Sequence, residues 1–184
     1  MKVTLLGDSV RLLGYGKAVP DLLGDKFEVF QPSFNCQFAK YTLRGTFDWR
    51  KDIDGSDIIH WNNGLWDVHD AYGDGPFTPI DHYIFEMIRV AKNLKKQCKK
   101  LIFATTTPLL PGNELNDNLV VAEYNKAIVP ELEKMGVIIN DLYSFVYPNR
   151  EKYICDDKIH LSEEGIKACG KEVADFIIKV SKEL

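Results

Sequence analysis

The chain has no long apolar run, no basic stripe, no CxxC pair and no glycine-rich phosphate loop, and each absence removes a class of function. Nothing approaches the roughly 20 consecutive apolar residues of a membrane-spanning helix. The opening Met1-Lys2-Val3-Thr4-Leu5-Leu6 reaches polar Gly7-Asp8-Ser9 too soon for the apolar core of a secretory signal, so a cytoplasmic location is the expectation. Lys and Arg are scattered and the net charge is −4, which sets nucleic-acid binding aside. Cys36, Cys98, Cys155 and Cys169 stand far apart, so reduced thiols are expected rather than structural zinc. Without a dinucleotide or phosphate fingerprint, no cofactor is expected. Oligomeric state is left open.

What is present is the profile of a globular domain: 184 residues, 45% hydrophobic and 27% charged. That length suits one domain over 1–184 with a sizeable core. Short apolar runs alternate with helical patterns. Val3–Leu6, Phe27–Phe30, Ile58–Asn62, Leu101–Thr105 and Val137–Asn140 read as strands, each bounded by Gly, Pro or Asn or by a polar segment. Helical stripes run over Ile80–Lys99, Leu119–Met135 (with a kink or break expected at Pro130) and Ser162–Lys182. The alternation predicts an α/β fold: a five-stranded parallel sheet between two helical layers, a three-layer sandwich of flavodoxin-like topology. Ligands bind beyond the carboxyl ends of such strands, which here are Gly7-Asp8-Ser9 and Asn63-Gly64-Leu65-Trp66-Asp67.

Ser9 sits where a strand-to-helix turn would expose its hydroxyl and leave backbone N–H groups free to hold an oxyanion. The plainer reading is a helix cap. Near the other end, Asp157 precedes His160 by three residues, close enough to fix the imidazole tautomer and leave Nε2 for a serine. Cys36 reads as a small buried residue and His60 as a hydrogen-bonded core histidine. Asp67, His69 and Asp70 read as a polar loop rather than a metal site. Trp61, Trp66, Tyr72 and Phe77 collect near the expected site, where they would line an acyl or sugar pocket or pack the core.

Taken together, Gly7-Asp8-Ser9 after the first strand and Asp157-Lys158-Ile159-His160 near the C-terminus resemble the nucleophile and DxxH blocks of the SGNH/GDSL hydrolases. Thr105-Thr106-Thr107-Pro108 and Tyr124-Asn125 look like further features of that family, so the resemblance spans the chain. It implies a carboxylic ester hydrolase (esterase, lipase or acetylesterase) with the catalytic triad Ser9, Asp157 and His160. The substrate would be a small-molecule or carbohydrate ester with a short acyl group.

Two blocks depart from the family pattern. Where Gly-x-Asn-Asp is usual, the sequence reads Gly64-Leu65-Trp66-Asp67, placing Trp66 at the position of the oxyanion asparagine. Asn62 and Asn63, just upstream, are the candidates to supply the amide instead, with Asn63 favoured because it sits nearest the turn. The segment Asn35–Lys40 lacks the usual glycine, leaving the Ala39 or Lys40 N–H and the Asn35 side chain as candidates. The alternative reading is a catalytically weakened binding module for a glycan or other ligand, with Trp66 altering the oxyanion site. A flavodoxin-like cofactor carrier ranks last, because Asp8 would repel a phosphate.

Overall fold

Five short runs rich in Val, Ile, Leu and Phe become five parallel strands in the computed structural model, which describes residues 1–184. They are β1 (Lys2–Leu6), β2 (Glu28–Phe30), β3 (Ser56–Trp61), β4 (Cys98–Ala104) and β5 (Ile138–Asn140). Their order across the sheet is β2-β1-β3-β4-β5. The helices are α1 (Val19–Leu23), α2 (Ala39–Asp48), α3 (Arg50–Ile53), α4 (Ile80–Leu94), α5 (Asn118–Lys134), α6 (Leu142–Val146), α7 (Arg150–Tyr153) and α8 (Glu163–Ser181). Right-handed crossovers put α1 and α8 together on one face and α2, α4 and α5 on the other. The central strands β1, β3 and β4 are largely buried, as their near-continuous apolar runs require, while the edge strands β2 and β5 are only partly covered.

The register levels the strand ends. Leu6 pairs with Trp61, Trp61 with Phe103 and Phe103 with Ile139. The residues after these positions, Gly7–Ser9, Asn62–Gly64, Thr105–Thr107 and Asp141, therefore share one edge of the sheet. This is the edge expected to carry chemistry.

Two helical expectations need correction. The Ile80 stripe ends at Leu94, not Lys99, because Cys98–Lys100 pair with β3 and Lys99 Nζ closes on Asp57 at 2.7 Å. Nor does α5 break at Pro130. It runs on to Lys134, held by buried Val121, Tyr124, Ile128 and Leu132, whose packing outweighs the missing N–H.

Several polar groups inside this core pair with one another, though His60 Nδ1 has no partner. Asn125 on α5 donates to the Thr106 carbonyl and accepts the Thr106 N–H, both at 2.9 Å, fixing the segment after β4. His60 is fully buried in β3, edge-on to Tyr15 and within 3.3 Å of the Asn140 amide. Burial pushes its pKa down to about 3, so it stays neutral in the core.

Glycine permits close approaches at several points. On α8, a Cβ at Gly170 would lie 2.7 Å from Ala18 Cβ, and one at Gly165 would lie 2.0 Å from the Tyr153 carbonyl oxygen. At Gly64, where φ is +146°, a Cβ would lie 2.1 Å from Thr106 Oγ1. That hydroxyl is itself held at 2.9 Å by the Asn63 carbonyl. Gly64→Ala is accordingly expected to lower unfolding free energy by about 2–3 kcal/mol, from strain and clash together. Urea unfolding followed by tryptophan fluorescence measures the loss.

Candidate active site

The Ser9 turn is built from the end of β1. Gly7 is needed because a Cβ there would meet Asn62 Oδ1 at 1.9 Å. Asp8 is fully buried, its Oδ1 accepting the Val10 N–H and its carbonyl the Leu12 N–H, each at 2.9 Å. Burial raises its carboxyl pKa against the opposing pull of Asn62, the Val10 N–H, Arg11 and His160. Ser9 then opens a π-helical turn, Val10–Gly14, and its hydroxyl makes no capping bond to that turn. The capping reading of Ser9 is therefore not what the structure has.

Arg11, which sequence reasoning missed, holds this turn against the next segment. Its fully buried guanidinium donates to the carbonyls of Pro32 (2.8 Å), Phe34 (2.7 Å) and Gly7 (3.1 Å). Cys36, buried as expected, adds an N–H to the Gly7 carbonyl at 3.0 Å, while its Sγ accepts the Gly7 N–H at 3.2 Å. The signal was an arginine within the otherwise apolar run Val10-Arg11-Leu12-Leu13.

The Asp157–His160 pair forms within a single turn. An antiparallel bridge between Ile154 and Leu161 closes the loop, and Lys158 takes a left-handed φ of 67° at its tip. Asp157 Oδ2 lies 2.6 Å from His160 Nδ1, and Oδ1 accepts the N–H groups of Ile159 (2.9 Å) and His160 (2.8 Å). The Cys155 thiol also reaches Oδ1, at 3.1 Å, an interaction not anticipated from the sequence. Desolvation opposes ionisation of Asp157. The two N–H groups, the imidazole and the thiol outweigh it and hold the carboxyl well below the usual carboxylate range. An ionised Asp157 accepts a proton-bearing Nδ1, which leaves Nε2 as the basic nitrogen.

The end of this loop packs against the serine turn: the Leu161 side chain lies 3.0 Å from where a Cβ on Gly14 would sit. On its other side Leu110 donates to the Lys158 carbonyl at 3.1 Å, and Lys158 Nζ to the Gly112 carbonyl at 2.8 Å. Ser162 caps α8 immediately afterwards by accepting the Gly165 N–H at 3.1 Å.

The expected oxyanion donors divide differently. Asn63 is fully buried, its amide spent on the Gln37 carbonyl at 2.7 Å and its oxygen on Trp61 Nε1 at 2.6 Å. It braces the β3 turn and does not face a substrate. Ala39 is also fully buried and its N–H is directed at Asp67 Oδ2, 3.1 Å away, so it too is withdrawn as a donor. Gly64 serves as the turn against Thr106 described above. Asn35 uses its oxygen to accept the Gln37 N–H at 2.8 Å, leaving its amide uncommitted. Trp66 is half-buried, edge-on to Phe38 with centroids 5.5 Å apart, and its indole N–H has no partner within the protein. Gln37 has a left-handed φ of 46°, the backbone geometry that favours glycine, so the unusual conformation persists without the usual residue.

No family model matches the sequence. A lipase/acylhydrolase from Enterococcus faecalis superposes with a TM-score of 0.76 at 16% identity, covering 96% of this chain and 94% of that one. The acetyl xylan esterase AlAXEase gives 0.75 at 20% identity over 98% and 99% of the two chains. An acetylxylan esterase from Geobacillus stearothermophilus gives 0.77 at 14% identity over 95% and 92%. In sequence, a GDSL esterase/lipase of Oryza sativa subsp. japonica is 25% identical over 190 residues, spanning 92% of this chain and 71% of the relative. The fold is that of the SGNH/GDSL hydrolases. Within the SGNH fold, Gly7-Asp8-Ser9 follows β1 at the carboxyl edge of the sheet, and Leu161, next to His160, packs against Gly14 of the following turn.

Asp67 supplies a pH test of how the SGNH edge is assembled. Burial raises its pKa to about 7, against the Thr78 hydroxyl and the Ala39 N–H that favour its charged form. A carboxyl whose pKa is higher folded than unfolded binds more protons in the folded state. Its contribution to stability therefore falls as pH rises from about 4 to 7 and levels above that. Asn can keep both hydrogen bonds without titrating. The stability of wild type relative to Asp67→Asn is expected to fall by roughly 2–4 kcal/mol over that window. Parallel urea titrations at pH 4 to 8 read the difference, in which the opposite trend from His60 cancels.

Proposed function

We propose that this protein is a serine-dependent carboxylic ester hydrolase acting on short acyl groups. The observation that carries the reading is the Asp157–His160 pair at 2.6 Å on the loop whose end packs against the turn that Ser9 opens. Ser9 Oγ attacks the acyl carbonyl as His160 Nε2 takes its proton, and Asp157 stabilises the imidazolium. The collapse of the tetrahedral adduct expels the alcohol, which receives that proton. Water, activated by the same imidazole, then releases the acid from the acyl-serine. The oxyanion is held by the Ser9 N–H and, in place of the usual asparagine amide, by the Trp66 indole N–H, with the Asn35 amide as the further candidate. Support comes also from the neighbours in fold, several of which are described as acetyl xylan esterases or lipases, and from the rice GDSL esterase/lipase.

A second reading, a binding module on the same scaffold, is favoured by one feature: both Asn63 and Ala39 spend their donors inside the protein. Turnover separates the two. Hydrolysis of 4-nitrophenyl acetate by wild type is expected, with a fall of at least about 10³-fold for Ser9→Ala and for His160→Ala. No turnover of acetyl to octanoyl aryl esters by wild type would instead favour the binding module. Trp66→Phe keeps the ring against Phe38 but deletes its N–H, and is expected to lower kcat by about 10- to 100-fold with little change in KM. An unchanged kcat would assign the oxyanion to other donors.

A further inference from the structure

A cleft of about 940 Å³ opens between the N-terminal halves of α2 and α4, lined by neither the Ser9 turn nor the Asp157–His160 loop, and is not used by the chemistry above. Its upper end is Gln37–Phe38, which the Asn63 amide and the Trp66 ring tie to the catalytic edge. From there it descends between two helix faces, past Lys40, Tyr41 and Arg44 on one side and His82, Phe85 and Glu86 on the other. Lys40 to Arg44 and His82 to Glu86 each cover about one helical turn, about 6 Å.

The lining joins two kinds of surface. Phe38, Tyr41, Phe77 and Phe85 turn aromatic groups to it, and Phe85 and Phe77 remain 59% and 45% exposed, well beyond what core packing asks of them. Between these rings stand Gln37, Lys40 and His82, whose side-chain donors and acceptors make no hydrogen bond within the protein. Charge is largely neutralised: Arg44 closes on Asp48 at 2.8 Å and Glu86 on Arg89 at 2.9 Å, leaving Lys40 without an ion pair. A long acyl chain would leave those polar groups facing hydrocarbon, an unfavourable burial. A polyanion would find only one unpaired ammonium. A neutral sugar satisfies both surfaces, with C–H faces on the rings and hydroxyls on the amide, ammonium and imidazole groups.

We propose that the α2–α4 cleft is a subsite for a neutral oligosaccharide, the alcohol portion of the ester whose acyl carbonyl meets Ser9. The proposal rests on the esterase reading for that last clause, while carbohydrate binding itself can be measured without turnover.

Ser9→Ala is titrated calorimetrically with xylotetraose, cellotetraose and mannotetraose, and with decanoate as the acyl alternative. At least one tetrasaccharide binds in the millimolar range or tighter. Adding Phe85→Ala or Tyr41→Ala weakens it about tenfold, whereas Phe85→Tyr retains it. Binding of none of the three sugars, binding indifferent to both alanine variants, or decanoate displacing a bound sugar from the cleft would overturn the proposal. Aryl acetate hydrolysis by the parent protein, assayed from the same preparations, reports separately on the esterase reading. Sugar binding without that activity would leave the subsite standing and remove the chemistry.

Discussion

A single buried cation organises the edge of the sheet that carries Ser9. Arg11 has no contact with water, yet its guanidinium gathers three carbonyls, those of Gly7, Pro32 and Phe34, from two segments far apart in sequence. Placing such a charge in a protein interior is unfavourable unless its donors are met, and here several are met by backbone carbonyls. The segment Pro32–Phe38 has no regular structure of its own, so Arg11 and Cys36 supply the bonds that a strand would have supplied. Everything downstream follows from that seam: the height of the Ser9 turn, the start of α2, and the upper wall of the cleft beside it.

The remaining parts are assembled by different physics. The Ser9 turn is tertiary, depending on Asn62 and Cys36 from outside its own segment and on the reach of its own Arg11 to Pro32 and Phe34. The acid and base are local, with every bond to Asp157 coming from residues 155 to 160. The loop after β3 is intermediate, braced by Asn63 on one side and by Thr106, itself fixed by Asn125, on the other. The candidate site joins one rigid element, one self-contained loop and one braced connection.

How much of this was legible in the sequence depends on the range of the interaction. The five strands and the sheet architecture followed from the alternation of apolar runs with helical stripes, and Asp157 with His160 followed from a spacing of three residues. Helix ends were less legible, because Cys98–Lys100 are strand only by pairing with β3, and Pro130 is tolerated only because α5 is packed. The partners of the candidate oxyanion donors were hidden for the same reason. Nothing local shows that the Asn63 amide is spent on Gln37 or the Ala39 N–H directed at Asp67, since both partners are 26 or more residues away. Arg11 was overlooked because a charged residue in sequence suggests surface until its carbonyl partners are known.

The close contact of Gly170 with Ala18 has a bearing on how such a site could drift over generations. Helix α8 begins three residues after His160, so the imidazole rides on the end of a rod whose seat is set by that contact about 11 Å further along. A methyl group added at Gly170 would push the rod away from α1, and the base would travel with it while the serine, rooted in the sheet, stayed behind. Reach between the two halves of the machinery is thus adjustable from a position that no substrate touches. Inheritance of small residues along that helical seam would act as a tuning screw on the chemistry, turned by packing alone.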